Sequence, residues 1–232
     1  FFDGFLSDEA FALRAVLAAV DGGAEMIALC DTNGGAFPAD VERIVKQVKK
    51  AVSVPVAVHY DHGLTIERCM EAIKIGFSSI MFDGSAGDEA ENLRQTAQMV
   101  KIAHAMGVSV EGEIGHVGNA DTNDGAVSDM YTTPEEAVNF VKATDVDALA
   151  IAIATAHGAY KTKPKLDIDR LTEIRKVLET PLVLHGGSGL SDDDFRNTIR
   201  CGIAKVNIFT DLCNTGNRAM KQGIDEGKAY LD

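Results

Sequence analysis

Three histidines stand at the ends of apolar runs, and each is followed directly by glycine. They are His62 in "VPVAVHYDHG" (54–63), His157 in "ALAIAIATAHG" (148–158) and His185 in "PLVLHGGSGL" (181–190). Neutral imidazoles bind zinc, and three of them around an open fourth position are typical of a catalytic zinc site. A single histidine of this kind is more often structural, but three at equivalent places favour a shared metal ion.

Carboxylates accompany these histidines at further run ends. Asp61 precedes His62, Asp83 lies in "SSIMFDGS" (78–85), and Glu111 and Glu113 lie in "VEGEIG" (110–115). Side chains alternate between the two faces of a strand, so Glu111 and Glu113 are predicted to share one face. A buried carboxylate needs a partner, which a metal ion or a hydroxylated substrate would supply. For Glu111 the alternative is a layer of salt-bridged polar residues in the core.

A phosphate-binding segment is predicted towards the C-terminus. "HGGSG" (185–189) and "VNIFTD" (206–211) offer backbone N–H groups of glycine together with the side chains of Ser188, Asn207 and Thr210. Groups of this kind bind phosphate where a helix begins. Lys161 would add a positive charge. A plain tight turn is the alternative for the glycines, because "GGSG" alone is a weak signal.

The order of the elements predicts how these residues are brought together. Short apolar runs alternate with helical stretches, which is typical of a parallel sheet covered by helices on both faces. Seven runs and the N-terminal "FFDG" predict eight strands, and therefore an α/β protein with a single (β/α)8 TIM barrel over residues 1–232. An open doubly wound sheet is the alternative, but polar residues here close nearly every strand.

A barrel of this kind would bring the three histidines to one face. The C-terminal strand ends carry the active site of such barrels, and a phosphate commonly binds after the last two strands. These are the positions of the histidines and of the two glycine-containing and polar segments. Because a TIM barrel usually has about 250 residues, we expect this one to be trimmed at both ends.

Composition and charge limit the possible partners. The 232 residues are 46% hydrophobic and 25% charged, which is typical of a globular protein with a sizeable core. The net charge is −13 and the basic residues are scattered, so we expect neither nucleic acid nor a membrane as a partner. Four separated cysteines without a C-x-x-C pair predict reduced thiols and a cytoplasmic protein.

From about residue 54 onward the chain resembles the class II, zinc-dependent ketose-bisphosphate aldolases, which include the fructose- and tagatose-bisphosphate aldolases. The matching segments, in order and at family spacing, are "VHYDHG" (58–63), "SSIMFDGS" (78–85), "VEGEIGHVG" (110–118), "AIATAHGAY" (152–160), "LVLHGGSG" (182–189) and "KVNIFTD" (205–211). The resemblance implies reversible aldol cleavage of fructose or tagatose 1,6-bisphosphate to dihydroxyacetone phosphate and glyceraldehyde 3-phosphate. It also implies a homo-oligomer, either a dimer or a tetramer.

The resemblance further implies a role for individual residues. Zinc would be held by His62, His157, His185 and Glu113. Asp83 is a candidate for a second metal position, and Asp61 matches the catalytic acid/base that takes the proton of the C4 hydroxyl. The substrate phosphate, with a sodium or potassium ion near it, would be held by Gly158, Lys161, Gly186, Gly187, Ser188, Asn207, Ile208, Phe209 and Thr210.

One loop departs from the family pattern. "NADTNDG" (119–125) lacks the glutamate that usually handles the proton at C3 of the substrate. Asp121 or Asp124 would have to serve in its place, and Asp121 is the residue we assign.

The N-terminal part is the second departure. Residues 1–50 resemble a piece of a citramalate or isopropylmalate synthase, in "FFDG" (1–4) and "LCDTNGG" (29–35). Synthase-like βα units over residues 1–53 would then complete aldolase-like units over residues 54–232. A chimeric or designed composite that folds but has little activity is therefore an alternative. A synthase-type acyltransferase is less favoured, because the H-x-H metal motif of the synthases is absent.

Overall fold

A computed structural model describes residues 2–32, 36–115, 118–119, 131–157 and 165–226. Its elements in chain order are α1 (Phe2–Ser7), α2 (Glu9–Asp21), β1 (Ile27–Cys30), α3 (Pro38–Ala51), β2 (Val56–Gly63), α4 (Ile66–Ile75), β3 (Ser79–Phe82), α5 (Glu89–Ala105), β4 (Ser109–Ile114), β5 (Gly118–Asn119), α6 (Pro134–Thr144), β6 (Ala148–Ile151), β7 (Ala156–His157), α7 (Ile168–Val177), β8 (Leu182–Leu184), α8 (Asp192–Arg200), β9 (Ile203–Val206) and α9 (Thr210–Asp225). None of the helices in these ranges is long and apolar enough to cross a membrane.

The chain divides into two compact units, and the first contains residues 1–59 and 209–232. In this unit β1 pairs in parallel with the beginning of β2, from Ile27 opposite Val56 to Cys30 opposite His59. Its hydrophobic core includes Phe2, Phe5, Leu29, Ile44 and Val48. Apolar side chains of α1, α3 and β1 thus hold the first unit together.

Residues 2–4 of the N-terminal "FFDG" lie in helix α1, so the prediction of this segment as the first strand was wrong. Phe2 and Phe5 are three residues apart in α1, a spacing that puts both on one side of a helix. Both rings are buried, at 0% and 3% exposure. Asp8 follows α1 and begins α2, because its side chain accepts a hydrogen bond from the backbone N–H of Phe11.

The second unit contains residues 60–208 and is built on a parallel sheet in the order β2, β3, β4, β6, β8, β9. The alternation of strands and helices confirms the predicted α/β class with parallel strands. All residues of β8 are buried, as expected for a strand that is covered on both faces. A separate pair of short strands, β5 and β7, also runs in parallel.

Fewer strands join the parallel sheet than the sequence predicted. In the described part of the chain, seven strands including β1 are hydrogen-bonded side by side in one sheet. A complete barrel needs eight. The predicted long strand at 147–158 is divided as well, because β6 ends at Ile151 and β7 pairs with β5 instead. Ala154 lies between them with a φ of 76°, a conformation that no strand continues through.

Side chains from strands that are not neighbours meet in the sheet of the second unit. Three strand spacings separate β4 from β9, which in a flat sheet would be about 14 Å. Nevertheless Nζ of Lys205 on β9 lies 2.6 Å from Oε2 of Glu111 on β4. Side chains from distant strands therefore meet on one face of the sheet, as they do inside a barrel.

Strand β4 has a glycine between its two glutamates. A Cβ atom on Gly112 would lie 2.9 Å from Cε1 of Phe140 and 3.1 Å from Cγ1 of Val146, which is too close for a side chain. Gly112 thus allows α6, which carries Phe140, to pack directly against the strand. Because side chains alternate along a strand, Glu111 and Glu113 lie on the opposite face from this contact.

Candidate metal centre

Side chains from several strand ends meet in the second unit. Asp61 and His62 lie at the end of β2, Asp83 directly follows β3, and His185 directly follows β8. The rings of His62 and His185 meet edge to face, with their centroids 4.8 Å apart. The structure therefore brings together two of the three histidines that the sequence singled out.

Two groups of metal-donor atoms consist wholly of described residues of the second unit, and His62 belongs to both. One donor atom each from Asp61, His62 and His185 lie within 4.8 Å of one another, and the same holds for His62, Asp83 and Glu113. Imidazole nitrogen and carboxylate oxygen at close spacing are donors that zinc accepts. The first group contains the predicted acid/base, and the second contains Glu113 with Asp83.

Some predicted site residues lie outside the described part of the chain. His157 is the last residue of β7 and pairs with Asn119 of β5, but its side chain is not among those described. The same applies to the whole of Asp121, Gly158 and Lys161. Their roles stay predictions.

His62 has an unusual backbone conformation and a strong acidic partner. Its φ is 51°, in the left-handed region that few residues other than glycine adopt. Its Nδ1 lies 2.7 Å from Oδ2 of Asp83. Burial alone would lower the pKa of His62, but the hydrogen bond to Asp83 and the nearby charges of Asp61 and Glu113 outweigh it and raise the pKa to about 9. Without metal, this ring is therefore positively charged at neutral pH.

Ser85 joins the two carboxylates of the second donor group. Its hydroxyl oxygen lies 2.7 Å from Oδ1 of Asp83 and 3.0 Å from Oε1 of Glu113. Burial acts to raise the pKa of Asp83, but hydrogen bonds with His62 and Ser85 lower it to about 2. In contrast, burial raises the pKa of Glu113 to about 7. The other oxygen of Glu113, Oε2, is buried and has no hydrogen-bond partner among the described residues.

His185 is fixed by a second carboxylate. Its Nε2 lies 2.8 Å from Oε1 of Glu111, and Oε2 of Glu111 accepts a hydrogen bond of 2.6 Å from Nζ of Lys205. His185 and Glu111 are 0% and 2% exposed. Burial alone would lower the pKa of His185, but the hydrogen bond to Glu111 and the surrounding carboxylates raise it. The salt-bridged alternative for Glu111 is thus realised, in direct contact with a candidate metal ligand.

Asp61 is buried next to the side-chain amide of Asn207. Nδ2 of Asn207 lies 3.4 Å from both carboxylate oxygens of Asp61 and 3.4 Å from Nε2 of His185. Oδ1 of Asn207 is buried and has no hydrogen-bond partner within the described ranges. The sequence assigned Asn207 to phosphate, whereas the structure places its amide beside the candidate acid/base.

The segments predicted to bind phosphate are close together at one point. The N–H of Gly187 donates a hydrogen bond of 3.1 Å to the carbonyl of Asn207, and a Cβ atom on Gly187 would lie 2.9 Å from that oxygen. The turn after β8 therefore packs against the end of β9 because it has no side chain there. Gly186 with a φ of 67°, the buried Ser188 and Ile208 belong to this second unit. Phe209 and Thr210 belong to the first unit, where Thr210 begins α9.

Sequence reasoning missed Lys205 and Ser85. Lys205 lies in β9 and Asn207 directly follows that strand, two residues further on, so the alternation of side chains was a signal that they share a face. No comparable signal pointed to Ser85, because it lies in the turn after β3, where the pattern does not fix side-chain direction.

Comparison with known proteins identifies the class. A family model described as "Fructose-bisphosphate aldolase class-II" matches residues 9–232. The chain therefore belongs to the class II fructose-bisphosphate aldolase family, whose members are carbon–carbon lyases.

Individual relatives differ in their named substrates. The 6-phospho-5-dehydro-2-deoxy-D-gluconate aldolase of Shouchella clausii is 47% identical over 161 residues, which are 69% of this chain and 54% of the relative. The fructose-bisphosphate aldolase of Geobacillus stearothermophilus is 38% identical over 204 residues, 85% of this chain and 71% of the relative. The crystal structure of the YdjI aldolase from Escherichia coli K12 matches with a TM-score of 0.75 at 36% identity, over 92% of this chain and 77% of that one. The fold is thus the TIM-barrel-like α/β fold of class II aldolases.

The comparisons also bear on the N-terminal part. The family match begins at residue 9, so it includes most of the segment that the sequence set apart as synthase-like. The resemblance to citramalate synthase and the composite origin inferred from it receive no support. The helical conformation of residues 2–4 points the same way, because the resemblance treated "FFDG" as a strand end.

Proposed function

We propose that this protein catalyses the reversible aldol cleavage of a phosphorylated ketose with a bound zinc ion. The observation that carries the proposal is the convergence of Asp61, His62 and His185, whose donor atoms lie within 4.8 Å of one another at two strand ends. Of these, His62 and His185 would be zinc ligands and Asp61 the neighbouring acid/base. His157 would complete the set of ligands, with Glu113 as an additional one. Zinc would supply a Lewis acid that stabilises the negative charge developing on the substrate.

The residues present fit a cation. The buried Oε2 of Glu113 has no hydrogen-bond partner among the described residues, and an unpaired buried oxygen is costly. A cation near His62, Asp83 and Glu113 would remove that cost. We propose this group as the second metal position, next to the one formed with His185.

Asp61 would act as the acid/base. In the cleavage direction its carboxylate accepts the proton of the C4 hydroxyl, and in the synthesis direction it returns that proton. The amide of Asn207, 3.4 Å from both oxygens, would hold the carboxylate in place. Oδ1 of Asn207 would accept a hydrogen bond from a substrate hydroxyl. Asp121 would handle the proton at C3.

For the substrate we propose fructose or tagatose 1,6-bisphosphate, cleaved to dihydroxyacetone phosphate and glyceraldehyde 3-phosphate. The turn at Gly186, Gly187 and Ser188 supports a phosphate position, because backbone N–H groups and a hydroxyl bind phosphate well. The N–H of Gly187 itself is bonded to the carbonyl of Asn207, so this glycine would shape the turn rather than donate to the phosphate. Gly158, Lys161, Ile208, Phe209 and Thr210 would complete the phosphate position with a sodium or potassium ion, as the resemblance implies. A cytoplasmic homodimer or homotetramer is the proposed form.

The test is an assay on protein that has been stripped of metal and then restored. We expect no cleavage after chelation and recovery when zinc is added, with dihydroxyacetone phosphate detected by a coupled dehydrogenase. Fructose 1,6-bisphosphate, tagatose 1,6-bisphosphate and 6-phospho-5-dehydro-2-deoxy-D-gluconate would be compared as substrates. Zinc-loaded, folded protein that cleaves none of them would contradict the proposal. Release of coenzyme A from acetyl-CoA in the presence of pyruvate would favour the synthase alternative instead.

A further inference from the structure

A row of three charged or polar side chains leads from solvent to the candidate metal centre. Lys205 on β9 donates to one oxygen of Glu111 on β4, and the other oxygen of Glu111 faces Nε2 of His185 after β8. The two distances are 2.6 Å and 2.8 Å. Only the lysine reaches water, with 23% of its side chain exposed against 3% for Glu111 and 0% for His185.

The burial of Glu111 calls for an explanation beyond stability. Taking a carboxylate out of water is costly, and an ion pair in the interior seldom adds net stability compared with apolar residues of the same volume. Glu111 nevertheless engages both oxygens, one with a cation and one with an imidazole nitrogen. That arrangement fixes the plane of the carboxylate and, through it, the plane of the His185 ring.

We propose that Glu111 is a positioning residue for His185 and that Lys205 acts through Glu111. The carboxylate accepts the Nε2–H of His185, so that the proton stays on Nε2 and Nδ1 is the nitrogen presented to the metal. Lys205 keeps Glu111 in its place and compensates its charge. The inference rests on the proposed function, since it takes the zinc site as given.

Carboxylates behind metal-bound histidines have measurable effects. Removing such a partner typically weakens metal binding by about 10- to 100-fold, because the ring loses its orientation and its preferred tautomer. Lys205 is hydrogen-bonded to one oxygen of Glu111, and the other oxygen of Glu111 lies 2.8 Å from Nε2 of His185. A mutation of Lys205 is therefore expected to act on the metal only while the carboxylate is present.

The experiment measures zinc affinity by competition with a chromophoric chelator in Glu111→Gln, Lys205→Met and the double variant. Glu67→Gln and Lys101→Met, at exposed positions on α4 and α5, are the matched controls. We expect Glu111→Gln to bind zinc about 10- to 100-fold more weakly. Lys205→Met should shift affinity in the same direction by less, and the double variant should resemble Glu111→Gln alone.

Two further measurements separate positioning from a purely structural role. Cobalt in place of zinc should give visible absorption bands that change in Glu111→Gln and not in the controls. The rise in melting temperature that zinc produces should also shrink, because a ligand stabilises the fold according to its affinity. A structural ion pair would instead lower the melting temperature equally with and without zinc.

The outcomes distinguish this inference from the proposed function. Unchanged zinc affinity and an unchanged cobalt spectrum in folded Glu111→Gln would overturn the inference, as would strictly additive effects in the double variant. If Glu111→Gln fails to fold, Lys205→Met with unchanged affinity and spectrum would overturn it. If Glu111→Gln binds zinc more weakly than the parent protein, but the zinc-loaded parent has no aldolase activity, the inference is supported and the proposed function is contradicted. A parent protein that binds neither metal would overturn both.

Discussion

The imidazole rings of His62 and His185 meet edge to face, and each ring is hydrogen-bonded to a different carboxylate. The centroids are 4.8 Å apart, with Asp83 2.7 Å from one ring and Glu111 2.8 Å from the other. Two imidazole rings at this distance would repel each other if both carried a proton on each nitrogen. The surrounding carboxylates raise the pKa of both rings in the absence of metal, and a bound divalent cation would supply the positive charge between the carboxylates instead.

The metal site can be tested through His62. Asparagine tolerates the left-handed backbone found at this position, so His62→Asn should fold while losing a ligand that both donor groups share. We expect zinc content, measured by atomic emission after gel filtration, to fall from about one ion per chain to a small fraction of that.

His104 provides a matched control for this change. Its ring is hydrogen-bonded to Asp147 at 2.9 Å, in a pairing like that of His62, but it belongs to none of the donor groups in the described residues. His104→Asn should keep its zinc. Equal zinc content in the two variants would contradict the assignment of His62.

Asp61→Ala should separate catalysis from metal binding. If Asp61 moves the C4 hydroxyl proton, the variant should lose a factor of about 10² to 10⁴ in the rate of aldol cleavage, the usual contribution of general acid–base catalysis. Zinc content and the binding of dihydroxyacetone phosphate should remain. A parallel loss of zinc would show that Asp61 instead serves as a ligand or orients one.

The stability of the metal-free protein should depend on pH through the His62–Asp83 pair. The pKa of His62 is raised to about 9 in the fold, so its contribution is complete below its ordinary pKa of about 6.5 and is lost as the pH rises through 9. The pKa of Asp83 is lowered to about 2, so its contribution is complete above about 4 and is lost as the pH falls through 2. The pair therefore stabilises most between about pH 4 and 6.5.

Chemical denaturation with a chelator present would measure this dependence. Between pH 6.5 and 9 the free energy of unfolding should fall by up to about 3 kcal/mol in the parent protein. In His62→Asn the same interval should show a much smaller slope. Equal slopes in the two proteins would mean that His62 does not carry the dependence.

Gly112 offers a test of how the two glutamates are placed. A methyl group there would contact Phe140 and Val146 at 2.9 Å and 3.1 Å, so Gly112→Ala should destabilise the fold by about 1 to 3 kcal/mol through overpacking. Displacing β4 would move both glutamates, so zinc affinity should fall as well. At Gly87 a Cβ atom would meet only one oxygen at 3.5 Å, and Gly87→Ala should change neither property. Unchanged stability and zinc affinity in Gly112→Ala would contradict this explanation.

The strand-end residues of the site were predictable because the positions of side chains at the ends of parallel strands are largely determined by the sheet. A side chain at the carboxyl end of one such strand must face those of its neighbours, so Asp61, His62 and His185 needed only the recognition of their apolar runs. The pairing of Glu111 with a cation was foreseen only as an alternative. Its partner Lys205 was missed because a lysine in a short strand is usually expected to be exposed to solvent.

Other features depend on information that a local pattern does not contain. Four residues of "FFDG" are too few to show a period, and only the packing of Phe2 and Phe5 reveals the helix. The predicted strand is interrupted at Ala154 by a backbone conformation that alanine rarely adopts, so the residue type gave no indication of it. The packing of Phe2 and Phe5 accounts for the helix, and the conformation of Ala154 is one that its local sequence does not favour.

The left-handed backbone of His62 lowers the stability of the fold at a residue whose side chain the candidate metal site needs. A side chain in this region costs about 1 kcal/mol or more relative to glycine, which adopts it freely. A procedure that chose residues by backbone preference alone would place glycine here and remove the one ring shared by both donor groups. Redesign for heat resistance should therefore keep residue 62 fixed, because the most favourable backbone choice at that position is also the one that abolishes the site.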